Sequence, residues 1–239
     1  MKKHYCIGLL AVASEVALIW YQGHQRGATD EEVTASLPGD EIVPHPMLET
    51  THAITIHASA AEIWPWLVQI GYDRAGWYTD PSWWDGWIDP LLRAELSREE
   101  RARAPRRTAA SADHSVPEWQ EVQVGDLLLD GPAGTAFFTV KGLERNRFRA
   151  LYSNSHVRSI LPAALRDNPK VGVSGEFSWT FILHERADGN TRLILRTRAN
   201  YGPTWFRIVT LLPFLLMEVF TPYKMLSSIK QQVESGRHR

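Results

Sequence analysis

Six segments of the chain show the alternation of apolar and polar residues that is typical of half-buried β-strands. In the first segment, residues 51–58, one face carries His52, Ile54, Ile56 and Ala58, and the other carries two threonines, Ala53 and His57. The remaining five segments are 126–130, 135–143, 148–154, 175–183 and 191–199, and turn-forming residues separate most of them. Short strands joined in this way predict an antiparallel meander.

The predicted strands each have one apolar face. Phe177, Trp179, Phe181 and Leu183 share a face, as do Phe138 with Val140, Phe148 with Tyr152, and Leu193 with Leu195. The opposite face of the last two strands carries Arg192, Arg196 and Arg198 beside Glu176. This pattern predicts a sheet with one face on the core and the other in water.

A short helix is predicted between the first strand and the meander. Ser59 stands three residues before Glu62, the spacing at which a hydroxyl and a carboxylate satisfy each other's free backbone amides. The helix therefore begins at Ala60. Pro65 lies beyond the first turn and removes one hydrogen bond, so we expect the helix to be kinked or short.

A long apolar helix is predicted over 203–234, at the end of the chain. Pro213 and Pro222 should bend or split it. A membrane span is an alternative for this segment, but Arg207, Glu218 and the two prolines favour a buried helix that closes the domain.

The N-terminal residues 1–22 form a separate apolar helix, and residues 23–49 form an irregular polar tether to a domain over 50–236. Lys2 and Lys3 precede an apolar run over 5–21 whose one charge is Glu15. The run predicts a single membrane anchor with a cytoplasmic N-terminus, which places the domain on the other side. The alternative is a helix packed on a soluble cytoplasmic protein.

Composition excludes several classes of protein. The 26 Lys and Arg nearly balance the 27 Asp and Glu, so no overall field attracts nucleic acid. The single cysteine, Cys6, excludes an intrachain disulfide and a multi-cysteine metal site. The ten tryptophans are the unusual feature, because large rings either fill a core or line an apolar pocket.

The order strand, capped helix, meander and long C-terminal helix resembles that of the START/SRPBCC superfamily. The local sequence around 27–33, 37–40, 63–69, 117–126 and 191–194 is similar to an uncharacterised bacterial branch of it. The resemblance implies an α+β helix-grip fold, in which a curved antiparallel sheet wraps around the C-terminal helix and leaves an apolar cavity. It carries no catalytic motif onto this chain, and fold alone does not dictate function.

Three groups of residues are candidates for catalysis or metal binding. Ser153 and Ser155 near His156 suggest a nucleophile and a base, but the sequence offers no third member. Asp85 and Asp89 lie among tryptophans, where burial can raise a carboxyl pKa. His52 and His57 should point to opposite strand faces, which excludes a shared metal.

The leading function hypothesis is binding or transfer of a hydrophobic small molecule, such as a lipid or polyketide, without a cofactor or metal. One alternative is a cyclase- or hydrolase-like enzyme that uses Asp85, Glu176 or His156 at the cavity mouth. Another is a membrane-tethered interaction module. The predicted ligand-binding residues, which could equally be plain core, are Trp66, Trp77, Phe138, Tyr152, Phe177, Trp179, Phe181, Phe206, Leu216 and Phe220.

Overall fold

The computed structural model describes residues 14, 20, 23–79, 96–99, 111–132, 134–159, 161, 163–166 and 168–236. It has an α+β fold, with a six-stranded antiparallel sheet and a long C-terminal helix. The predicted apolar helix over 1–22 lies outside the described residues except for positions 14 and 20. The predicted membrane anchor therefore stays a prediction.

The described elements follow the predicted order closely. The helices are α1 (Asp30–Thr34), α2 (Ala60–Val68), α3 (His156–Ser159), α4 (Ala163–Arg166) and α5 (Thr204–Gly236). The strands are β1 (Leu48–Ile56), β2 (Leu127–Leu129), β3 (Phe137–Glu144), β4 (Phe148–Ser153), β5 (Ser174–Glu185) and β6 (Thr191–Gly202). Short 3₁₀ turns occur at Asp40–Ile42 and Pro117–Trp119.

The strand order in the sheet is β1-β6-β5-β4-β3-β2, so the first strand lies beside the last. The β5–β6 hairpin is the longest pairing, and Gly189 in its turn has a φ of 80° that suits glycine. β1 pairs with β6 from Leu48 opposite Ala199 to Ile56 opposite Thr191. The strand β1 thus starts three residues before the predicted position 51.

The main core lies between α2, α5 and one face of the sheet, here called the inner face. The C-terminal half of α5 contributes Met225, Leu226, Ile229 and Val233, and α2 contributes Ile63 and Leu67. They pack against inner-face residues that include Leu151, Phe181, Leu193 and Leu195. Burying one such side chain contributes roughly 1.5–3 kcal/mol, so this contact is the principal source of stability.

Both predicted helices are present, with one difference in α5. Ser59 and Glu62 form the expected capping box at the start of α2, which is only nine residues long and contains Pro65. The α5 helix runs as one element through positions 213 and 222 instead of splitting. A proline removes a single helical hydrogen bond, and the packing of α5 on the sheet outweighs that loss.

The second face of the sheet is here called the outer face. The sequence predicted that this face lies in water, but part of the chain covers it. The segment 23–47 packs on it and along the free edge of β1, where Thr51 and Ala53 donate backbone hydrogen bonds to the carbonyls of His24 and Arg26. Leu37 is buried against Ile182 and Ile194. The segment predicted as a tether is therefore part of the folded body.

The three arginines of β6 hold this segment in place. Arg192 makes two hydrogen bonds to the carboxylate of Glu32 at 2.6 and 2.7 Å. Arg196 donates to the carbonyls of residues 32, 33 and 35, and Arg198 donates to the carbonyls of Val43 and Pro44. The alternation correctly predicted that the three arginines share one face of the sheet. It did not predict that the segment 23–47 covers them.

Candidate functional site

Four aromatic side chains meet on the inner face and form what we call the ring cluster: Trp77, Phe138, Phe177 and Trp179. The ring centroid of Phe138 lies 5.4 Å from Trp77, 5.4 Å from Trp179 and 5.2 Å from Phe177. Trp77 and Trp179 meet edge to face at 5.6 Å. Such contacts stabilise a core and also form the wall of an apolar binding site.

Strand alternation explains why three of these rings meet. Phe177 and Trp179 are two residues apart on β5, so they share a face, and Trp179 lies opposite Leu151 on β4. Phe138 comes from the neighbouring strand β3. Trp77 is delivered by the loop after α2, where Gly71 and Gly76 form a bridge that turns the chain back.

The indole N–H groups of the ring cluster are buried polar atoms with no hydrogen-bond partner among the described residues. The Nε1 atoms of Trp77 and Trp179 are buried and make no hydrogen bond within the described part of the chain. The two side chains are only 4% and 7% exposed. An indole N–H can only donate, so each of these groups requires an acceptor oxygen or nitrogen to recover its desolvation cost.

A Ser–His–Asp arrangement lies beside the ring cluster. The Oγ atom of Ser153 is 2.6 Å from Nδ1 of His156, and Nε2 of His156 is 2.9 Å from Oδ2 of Asp130. The ring of His156 packs against Phe138 at 4.7 Å and Phe177 at 4.9 Å. The three polar residues therefore border the same apolar wall.

The fold brings these three residues together from separate elements. Ser153 ends β4, His156 begins α3, and Asp130 follows β2, two strands away in the sheet. Ser155 fixes the local geometry, because its hydroxyl donates to the carbonyl of Phe137 and accepts from the amide of Phe137. The sequence suggested Ser153, Ser155 and His156, but it missed Asp130, which lies 26 positions from His156.

A second buried polar group lies under the N-terminal half of α5. The carboxylate of Glu218 accepts a hydrogen bond from Thr50 at 3.0 Å. Burial raises the pKa of Glu218 to about 7, against the opposing effect of the Thr50 hydroxyl. Burial, with Glu218 nearby, also raises the pKa of Tyr201, whose hydroxyl has no partner in the described part of the chain. The carboxyl group of Glu218 can therefore exchange a proton near neutral pH.

Arg149 is a buried charge that the sequence analysis did not select. It is fully buried on β4, and one of its guanidinium nitrogens donates to the carbonyl of Leu67 at the end of α2. Burial, with the charge of Arg74 nearby, lowers the pKa of Arg149 to about 9. Arg149 is two residues from Leu151 on the same strand, so strand alternation places it on the inner face. This alternation was the signal in the sequence that could have identified Arg149 as buried.

Six of the ten predicted ligand-binding residues belong to the main inner-face core. They are Trp66, Trp77, Phe138, Phe177, Trp179 and Phe181. Phe206 is buried in a different cluster, where it packs with Val157, Ala199 and Tyr201 at the start of α5. Whether any of these residues contacts a ligand remains a prediction, because core packing alone would place them in the same way.

The structure contradicts two of the predicted positions. Tyr152 lies on the outer face, where its hydroxyl donates to Glu176 at 3.0 Å, because it alternates with the inner-face residues Leu151 and Ser153. Phe220 is 51% exposed, because the apolar run of α5 extends around more of the helix than the sheet covers. The side chain of Leu216 lies outside the described residues.

Glu176 and His156, two acid–base residues of the enzyme alternative, lie on opposite faces of the sheet. Glu176 shares the outer face with Tyr152, so it cannot act with His156 on the inner face. Asp85 and Asp89 lie outside the described residues. Of the two candidates that the structure describes, Glu176 and His156, His156 borders the ring cluster.

Two open depressions occur on the described surface. One, of about 500 Å³, is lined by residues that include Trp64, Val68 and Leu143, and the other, of about 780 Å³, lies on the outer face beside Arg196 and Arg198. Neither is lined by the ring cluster. A cavity between the sheet and α5 therefore stays a prediction.

None of the helices in the described ranges has both the length and the apolar character needed to cross a lipid bilayer. This holds for α5, for which a span was an alternative.

Comparison with known proteins gives only weak similarities. No protein-family model matches the chain, and no curated protein matches it. A solved structure from Mesorhizobium loti has 12% identity and a TM-score of 0.40, over 79% of this chain and 98% of that one. A Staphylococcus aureus protein of unknown function has 11% identity and a TM-score of 0.40, over 80% and 98% of the two chains. A protein from Arthrobacter aurescens has 13% identity and a TM-score of 0.38, over 85% and 92%. Similarity at this level carries no argument about function.

Proposed function

We propose that the chain is a helix-grip domain of the START/SRPBCC type that binds or transfers an apolar small molecule between the inner face and α5. The observation that carries the proposal is the ring cluster, whose two buried indole N–H groups have no partner in the part of the chain that the structure describes. The packing of a long C-terminal helix on one face of an antiparallel sheet also supports it.

The indole groups indicate the class of ligand. Leaving a buried N–H unsatisfied costs about 1–3 kcal/mol, and an acceptor atom on a bound molecule offsets that cost. A pure hydrocarbon offers no acceptor, whereas a fatty acid, a fatty ester or a polyketide has an apolar body with carbonyl or carboxylate oxygens. The proposed ligand is therefore an apolar molecule with at least one oxygen acceptor.

Calorimetric titration with dodecanoate tests this proposal. Trp179→Phe keeps an aromatic ring and removes the N–H donor, so we expect roughly tenfold weaker binding in that variant. Trp205→Phe is the matched control, because Trp205 is 45% exposed on α5 and should leave binding unchanged. If the unaltered chain binds no fatty acyl, isoprenoid or aromatic probe, the proposal is wrong.

We also propose that the apolar run 5–21 holds the domain at a membrane. The experiment compares the full chain with a version beginning at Gly23, which keeps the contacts of His24 and Arg26 with β1. Arg26 also lies 4.2 Å over the ring of Tyr223 on α5, so a shorter version would disturb the fold as well. We expect only the full chain to sediment with membranes; equal solubility of both without detergent would contradict the anchor.

A further inference from the structure

We infer that Ser153, His156 and Asp130 form a nucleophile, a general base and a positioning carboxylate that hydrolyse esters of apolar acids. The inference deepens the proposed function and rests on it, because the ring cluster beside His156 supplies the binding surface for the acyl chain.

The tautomer of His156 follows from its two partners. Asp130 only accepts when ionised, so Nε2 of His156 carries the proton and donates it across 2.9 Å. Nδ1 is then the free acceptor, 2.6 Å from the hydroxyl of Ser153. The two ring nitrogens exchange the roles they have in the chymotrypsin arrangement, but the sequence of donors and acceptors is the same.

Distance favours His156 over the neighbouring serine as the acceptor of the Ser153 proton. The Ser155 hydroxyl donates to the carbonyl of Phe137, so its oxygen can only accept from Ser153, in competition with Nδ1 of His156. The backbone N–H of Ser155 donates to Ser153 Oγ at 3.1 Å, which occupies one acceptor position there. The shorter of the two remaining contacts of Ser153 Oγ is with Nδ1 of His156, at 2.6 Å against 3.1 Å to Ser155 Oγ.

A purely structural role would need less than this arrangement. The short helix α3 could be attached to the sheet by Ser155 and Val157 alone, which contact Phe137 and Gly175. The imidazole is instead held at both nitrogens, is 20% exposed, and lies between two rings of the apolar wall. A base that is oriented by a carboxylate and that contacts a hydroxyl is the general signature of an activated nucleophile.

The reaction balances with water as the only co-reactant. The Ser153 oxygen attacks the ester carbonyl carbon while its proton passes to Nδ1 of His156. The C–O bond to the alcohol then breaks, and the alcohol leaves with that proton. Water next attacks the acyl-serine, gives one proton to Nδ1 and releases the acid, and the proton returns to the Ser153 oxygen. Trp77 and Trp179, whose N–H donors have no partner within the described ranges, belong to the ring cluster that lines the same face.

The test uses the purified full chain with a fluorophosphonate probe and with p-nitrophenyl esters of two to twelve carbons. We expect mass spectrometry to find the probe on Ser153, and hydrolysis to increase with acyl length. Ser153→Ala should abolish both, and His156→Ala should slow hydrolysis roughly 10²- to 10⁴-fold. Asp130→Asn should change the pH profile of hydrolysis, a readout that a merely structural role would not affect.

Ser159→Ala is the control, because Ser159 lies on the same short helix and its hydroxyl donates to the carbonyl of Ser155. If the folded, unaltered chain leaves Ser153 unlabelled and hydrolyses no ester faster than Ser153→Ala does, the inference is wrong. Labelling of the unaltered chain decides the matter even if a variant fails to fold. Dodecanoate binding without labelling overturns only this inference, whereas loss of both overturns the proposed function as well.

Discussion

Glu218 and His52 are two ionisable residues buried between α5 and β1, and their pKa values move in opposite directions. Burial raises the pKa of Glu218 to about 7. Burial, together with the nearby charges of His24 and Arg26, lowers the pKa of His52 to about 4. The backbone carbonyl of Glu218 favours the protonated imidazole, but neither ring nitrogen makes a hydrogen bond of normal geometry in the described part of the chain.

The two groups should therefore give opposite pH dependences of stability. The contribution of Glu218 to the free energy of unfolding is fully present below its unfolded pKa of 4.5 and is lost as pH rises through 7. The contribution of His52 to the free energy of unfolding is fully present above its unfolded pKa of 6.5 and is lost as pH falls toward 4. Between these unfolded values the two effects largely cancel.

Removal of either group should expose the effect of the other. We expect Glu218→Gln to lose about 1 kcal/mol of unfolding free energy, relative to the unaltered chain, for each pH unit below 6.5. His52→Gln should lose stability relative to the unaltered chain as pH rises from 4.5 to 6.5, because Glu218 then acts without the opposing effect of His52. Urea unfolding at pH 4.5, 5.5 and 6.5 measures both slopes. Parallel pH profiles for all three proteins would contradict this account.

Gly27 tests how closely the N-terminal segment approaches the sheet. Its φ is 77°, and a Cβ atom placed on it would lie 2.2 Å from the carbonyl oxygen of Ala53. Gly27→Ala should therefore cost about 2–3 kcal/mol of unfolding free energy or more, through both strain and a backbone clash. Gly189→Ala is the control, because its φ is 80° but nothing lies within 4 Å.

The control should cost only the conformational part, about 1 kcal/mol. Thermal or urea unfolding of the two variants measures the difference. Equal effects of the two substitutions would mean that the segment does not rest on β1 as described.

At the scale of elements, the sequence predicted most of the structure. Alternation placed every strand of the sheet within a few residues, and the Ser59–Glu62 spacing gave the start of α2. These signals are local, since strand periodicity and capping depend on residues close in sequence. The pairing of β1 with β6 is a long-range contact, and no local signal in the sequence specifies it.

The cover on the outer face shows why a local pattern was insufficient. Residues 23–47 have turn formers and no regular period, so they were predicted to be an irregular polar tether. Their order comes from outside the segment, because the β6 arginines bond to carbonyls and acids along it. The helix α1 supplies Glu32. Burial raises the pKa of Glu32, but the hydrogen bonds from Arg192 and Thr29 outweigh this effect, so the pKa is lowered overall.

The Glu32–Arg192 contact gives a prediction for this element. Glu32→Gln keeps the helix cap but removes the charge, so we expect a loss of about 1–3 kcal/mol of unfolding free energy. Glu31→Gln is the control, since Glu31 lies on the same helix and is exposed. Urea unfolding at pH 7 compares the two, and an equal, small effect would mean that the ion pair contributes nothing.

At the scale of the whole molecule, the site was predicted only in part. Four rings on strands, those of Phe138, Phe177, Trp179 and Phe181, lie in the main core on the face that strand parity predicted. Tyr152 was misplaced because it was grouped with Phe148 on the assumption that every apolar strand face points to the main core. The position of Asp130 beside His156 depends on the order of β2, β3 and β4, which is a property of the sheet and not of any one segment.

The central claim is that an apolar ligand lies between the inner face and α5, and photochemical labelling tests it most directly. A fatty acid with a diazirine on its chain is bound to the full-length protein, irradiated, and the modified peptides are identified by mass spectrometry. We expect the label on Trp77, Phe177, Trp179 or the buried face of α5 that carries Met225 and Ile229, with competition by unlabelled dodecanoate. Labelling confined to the outer face or to the exposed Ile208, without competition, would contradict the claim.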